Sequence, residues 1–169
     1  MQLLWINLVT DSFPAIALGM EPVEKNIMNQ PPKSKKEGLF ANGYAIQILL
    51  QGLLFGTLTL IAFRIGEGTA GELPEGQTMA FMVLSLSQIL QAFEMRSSYS
   101  LWNIGVFSNP KLNWAALCSI LLVCLVLFTP LSSLFGLVKL SIPHYIISVA
   151  LITIPILLME LAKAFKLIR

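Results

Sequence analysis

"NLVTDSFPAIALG", residues 7–19, is an apolar stretch that contradicts itself. Before it runs "LLWINLV" and it closes into "AIALGM", the composition of a helix in lipid. Yet Asn7, Thr10, Asp11 and Ser12 are polar, and Pro14 removes a backbone donor from the middle. A carboxylate inside a membrane span is costly, and where one occurs it marks an ion or proton pathway.

The rest of the chain makes the membrane reading firm. Of 169 residues, 56% are hydrophobic and 12% charged, and mean hydropathy is +0.76. A soluble domain carries about 25% charged residues, so one soluble core cannot hide this much apolar surface. The net charge of +2 offers nothing to nucleic acid. Cys118 and Cys124 share one apolar run six residues apart and cannot bridge on one helix, so they read as small packing residues. Met1 to Leu4 carry no basic region, so the first stretch is not expected to be a signal peptide.

A bilayer-crossing helix needs roughly 20 mostly apolar residues. Five windows answer, at about 1–20, 41–63, 78–96, 113–131 and 143–163. The expected fold is therefore an all-α membrane protein, a five-helix transmembrane bundle with a broken first helix. Basic residues sort between the connectors. Lys25, Lys33, Lys35, Lys36, Arg96, Lys111, Lys163, Lys166 and Arg169 fall on one side, against Arg64 and Lys139 on the other. By the positive-inside rule, the nine are cytoplasmic, the N-terminus starts outside and the C-terminus ends inside. The acidic connector "GEGTAGELPEGQ" (66–77) suits an outer loop. Five spans beginning outside suggest the tail of something longer.

On a regular helix, positions 7, 10 and 11 share one face. That face carries an amide carbonyl, a hydroxyl and a carboxylate, the hard oxygen donors that Ca²⁺, Mg²⁺ and Mn²⁺ prefer. Pro14 has no N–H, so the Thr10 carbonyl loses its helical partner and becomes a further potential ligand. The alternative is that these groups bond to neighbouring helices and Pro14 merely kinks the first.

"QLLWINLVTDSFPAIALGMEP" (2–22) closely resembles the sixth transmembrane helix of type II P-type cation-transporting ATPases, in their calcium-pump branch. "IMNQPPKSKKEGLF" (27–40) resembles that family's loop between helices six and seven, and "NIGVFSNPKLNWA" (103–115) its approach to helix nine. The resemblance spans the chain as helices six to ten. It implies that Asn7, Thr10 and Asp11 are ligands of a transported cation. Ser12 stands where many members have glycine. In "LSLSQILQAFE", Gln88 takes the place of an acidic ligand of the two-calcium pumps, which resembles pumps that carry one ion. Gln88 as a helix–helix hydrogen bond is the competing reading.

By the same resemblance, calcium is the transported ion, with manganese the alternative cargo. ATP and magnesium belong to a full-length parent. Partners are the lipid bilayer and the parent's other helices and cytoplasmic domains. The short outer connector fits a prokaryotic cell membrane. The family's Asp-Lys-Thr-Gly-Thr phosphorylation sequence is not in these 169 residues, nor is any catalytic residue. Two other classes fit the composition, a small oligomeric channel or carrier and a non-transporting scaffold. Among other polar residues, Gln91 reads as packing, His144 as interfacial, and Glu94 and Glu160 as helix-end carboxylates met by solvent or a nearby lysine. Pro155 reads as a kink, and Gly52 with Gly56 as a close-packing face.

Overall fold

The computed structural model describes residues 1–21, 44–68, 73–96 and 108–164, with Gly71 and Gly105. The lysines at 25, 33, 35 and 36, and Lys166 and Arg169, lie outside the described residues. Every regular element among those described is helical. The first stretch is assembled from α1 (Gln2–Trp5), a π-helical turn (Ile6–Thr10) and α2 (Ser12–Gly19). Then follow α3 (Tyr44–Glu67), α4 (Leu73–Glu94), α5 (Pro110–Phe128), the short α6 (Leu131–Leu134) and α7 (Ile142–Ala164).

Three of these are long and apolar enough to cross a bilayer: Ala45–Glu67, Pro110–Phe128 and Ile142–Leu161. They correspond to the second, fourth and fifth expected windows. The third window, α4, has 22 residues, about 33 Å at 1.5 Å per residue. It is long enough, but too polar to qualify by composition. Its position explains the polarity. α4 packs against α3, α7, α5, α2 and the π turn, and eleven of its residues are buried. A helix enclosed by other helices need not be apolar all round, provided its polar groups are bonded. Ser85 donates to the Phe81 carbonyl at 2.6 Å, and Thr78 to the Pro74 carbonyl at 2.7 Å. Thr78 also accepts from the Val138 N–H at 3.0 Å, which ties down the chain after α6.

The expected loop at 66–77 is mostly helix, because α3 continues to Glu67 and α4 starts at Leu73. The reversal uses Gly68 and Gly71, both at positive φ (55° and 71°), where a side chain would be strained. Immediately inside the turn the two helices touch backbone to backbone. A Cβ on Gly66 would lie 2.8 Å from Gly76 Cα, and one on Gly76 would lie 2.7 Å from the Phe63 carbonyl oxygen. Within the described residues the close approach of α3 is here, at Gly66 and Gly76. Gly52 and Gly56 have nothing within 4 Å of a Cβ at either position.

At the start of α5, Asn109 accepts from the backbone N–H groups of Lys111 (3.0 Å) and Leu112 (3.2 Å), with Pro110 at the first helical position. Pro155 lies inside α7 without ending it. Ile6, Met79, Val83, Ile89, Val123 and Val126 are almost fully buried and form the centre of the main core. Cys118 and Cys124 are both free.

Candidate cation site

The first stretch is interrupted, as expected, but the interruption takes another form. It lies upstream of Asp11 and is a widened turn, not an unwound one. The Asp11 N–H donates to the Ile6 carbonyl five residues back at 3.0 Å, which closes a π turn, a feature frequent at functional sites. Backbone angles stay right-handed helical at both flanks, Trp5 and Asp11. Regular bonding resumes with the Ala15 N–H on the Asp11 carbonyl at 3.1 Å. Between these, proline at 14 can offer nothing to the Thr10 carbonyl. That carbonyl is nevertheless bonded, by the Ser119 hydroxyl of α5 at 2.9 Å. The group expected to be available to an ion thus already holds one partner.

Widening the turn also redistributes the three expected ligands. Thr10 is fully buried, Asp11 is half-buried and Asn7 is exposed. The Thr10 hydroxyl is buried with no hydrogen-bond partner among the described residues. Gln88 is half-buried on α4, and its side-chain oxygen is likewise buried and without a partner there. Because α4 packs against both the π turn and α2, the structure brings the helix of Gln88 beside the turn of Thr10 and Asp11. Asn7 is the member of the set that the described residues leave uncovered. Among the described residues, no group of three His, Cys, Asp or Glu side chains gathers around a point.

A second polar cluster sits between α3, α4 and α7. The Gln91 side-chain amide donates to Gln51 Oε1 at 3.2 Å, and the Gln51 Nε2 amide reaches Met159 Sδ at 3.5 Å. Both glutamines, with Ser87, Glu94 and Pro155, line a cavity of about 10 Å³, the space of roughly one water. Glu94, expected at a solvated helix end, is 4% exposed. The end of α4 is covered by its neighbours, so its carboxylate belongs to the interior.

A third group clasps the ends of α2, α4 and α5. Arg96 donates to Glu21 from two nitrogens, at 2.8 and 3.1 Å, and to the Ser108 hydroxyl at 2.6 Å. The Asn109 amide donates to the other Glu21 oxygen. Burial pushes the Glu21 carboxyl up, but the hydrogen bonds from Arg96 and Asn109 and the guanidinium charge outweigh it. The carboxyl ends below its ordinary value. Sequence reasoning missed both Glu21 and Ser119. Asn109-Pro110 was a legible cap signal, whereas one serine in "WAALCSILLVCLVLF" carries no signal of what it will face.

These elements define a class, an all-helical membrane bundle with a half-buried carboxylate set in a distorted, proline-interrupted turn. The chain belongs to the family described as "Cation transporting ATPase, C-terminus", which matches residues 1–165. It is 34% identical, over 97% of its length, to Calcium-transporting ATPase 1 of Bacillus cereus, covering 20% of that relative. It is 37% identical over 94% of its length to the Calcium-transporting ATPase of Bacillus subtilis, covering 18%. A human relative, Calcium-transporting ATPase type 2C member 1, is 33% identical over 84% of the chain, covering 16%. The chain thus spans about a fifth of the length of these relatives.

Proposed function

We propose that this chain is the C-terminal part of the cation-translocation domain of an ATP-driven calcium pump, with Asn7, Thr10, Asp11 and Gln88 contributing ligands. The carrying observation is the partnerless buried hydroxyl of Thr10 beside the half-buried Asp11, in a π turn on a membrane stretch. A buried hydroxyl without a partner is costly, and an ion beside the carboxylate would satisfy both. The motor lies elsewhere in the parent, so this chain is inactive alone. ATP and magnesium act there. The N-terminus lies outside and the C-terminus in the cytoplasm, in the cell membrane of a prokaryote.

Ca²⁺ takes about 6–8 oxygen ligands, and four side chains with one charge cannot supply them. The rest come from the parent's other helices. A divalent ion leaving water needs a compensating carboxylate, whereas a neutral amide is more replaceable. Asp11→Asn in the complete pump should therefore abolish high-affinity, calcium-dependent ATP hydrolysis, and Gln88→Ala should weaken it less. Full activity in Asp11→Asn removes the reading. Activity supported by Mn²⁺ and not Ca²⁺ reassigns the cargo. Micromolar calcium binding by the 169-residue chain alone, read by calorimetry in detergent, would favour a self-sufficient transporter.

A further inference from the structure

The hydrogen bond from Ser119 to the Thr10 carbonyl joins residues 109 positions apart and buries both completely. A serine inside a helix ordinarily returns its proton to the carbonyl four residues back on the same helix. Two other buried helical serines of this chain do so, Ser85 to Phe81 (2.6 Å) and Ser148 to His144 (2.8 Å). Ser119 instead donates across to another element. Its acceptor is the carbonyl that Pro14 orphans, at the last residue of the π turn. Water does not reach that carbonyl, since Thr10 is fully buried, and an unbonded buried carbonyl is expensive.

We propose that Ser119 is a positioning residue for cation binding. By anchoring the Thr10 carbonyl to α5, it holds the widened turn in the register that sets the Thr10 hydroxyl and the Asp11 carboxylate. Without the hydroxyl, the carbonyl must turn toward another donor or toward the ion. Either movement displaces the side chains on both sides of it. α5 carries none of the four ligands; it packs against α2, α4 and the π turn, and this bond is its polar link to the turn. The inference rests on the reading of Thr10 and Asp11 as ligands.

The test is calcium uptake, with ⁴⁵Ca²⁺, by membrane vesicles containing the complete pump. Ser119→Ala, which removes the hydroxyl without adding bulk, should weaken apparent calcium affinity about five- to tenfold at an unchanged maximal rate, the scale of one buried hydrogen bond. Ser119→Thr keeps the donor and should stay within about twofold of the parent, whereas Ser119→Val, its isostere without the hydroxyl, should follow alanine. Parental affinity in Ser119→Ala overturns the proposal. So does a fall in maximal rate and protein yield with affinity unchanged, the mark of a packing role. Asp11→Asn in the same assay separates the two claims. If it is silent, the cation-site reading fails; if it shifts affinity while the Ser119 variants are silent, the positioning role alone fails.

Discussion

Arg96 and Glu21 meet at 2.8 Å across 75 residues of sequence, with the arginine side chain only 2% exposed. The pair joins the end of α2 to the end of α4, and Asn109 extends it to the start of α5. The candidate turn lies one helix, α2, away from this clasp, which ties down the C-terminal end of α2.

Glu21→Gln should destabilise the chain by about 1.5–3 kcal/mol, the range for hydrogen bonds to charged groups. The sign with pH follows from the depressed carboxyl of Glu21. A group whose folded value is lowered stabilises above its unfolded value, and that contribution disappears as pH falls through the folded one. The parent and Glu21→Gln should differ fully at pH 7 and converge well below pH 4.5, the ordinary value. Denaturant unfolding in detergent at a series of pH values reads this. A gap that persists undiminished in acid would contradict it.

Gly76→Ala and Gly66→Ala should each cost about 1–3 kcal/mol, because the added methyl meets backbone that cannot rotate away. Gly52→Ala meets nothing and should be neutral or stabilising by up to about 1 kcal/mol, from helix propensity. Unfolding of the three variants side by side gives the ranking. Equal losses would contradict a close crossing confined to residues 66 and 76.

The Gln51–Gln91 contact should show itself in a double-mutant cycle. Each single leucine substitution leaves one buried amide group without its partner, and the double substitution removes both. The coupling should be about 0.6–1.7 kcal/mol, as found for polar pairs between membrane helices. Additive losses would mean that the two amides are satisfied independently.

Orientation is testable at Gly71 and Lys111. In a background with Cys118 and Cys124 replaced by alanine, a cysteine at 71 should react with impermeant reagent from outside the cell. One at 111 should react only after permeabilisation. Reaction of both from one side would contradict the sorting of basic residues.

The helical class was legible because apolar composition and length suffice to establish it. α3, α5 and α7 fall within a few residues of their windows for that reason. α4 is the least apolar of the long helices. Its serines and glutamines are explained by its enclosure on several sides, which no local pattern announces. Proline at 14 announced an interruption, but whether a turn unwinds or widens depends on what is packed beside it. Here Ser119, from more than a hundred residues away, decides where the spare carbonyl goes. Glu21 was invisible in the same sense, since its value lies in an arginine and an asparagine from two other elements. Pairings between distant positions leave no trace in local spacing.

The enclosed, polar character of α4 also bears on how the chain is made. A segment carrying Ser85, Ser87, Gln88, Gln91 and Glu94 partitions poorly into lipid by itself. The segment synthesised just before it, α3, brings Gln51 to meet Gln91 and a glycine crossing to seat the backbone. The link at 68–72 is too short to let them part far. The two should therefore enter the bilayer together as a hairpin, with the later segments α5 and α7 closing around a pair already formed. A ribosome-arrest series that measures the force on each segment would register one shared pull for α3 and α4, where independent helices would give two.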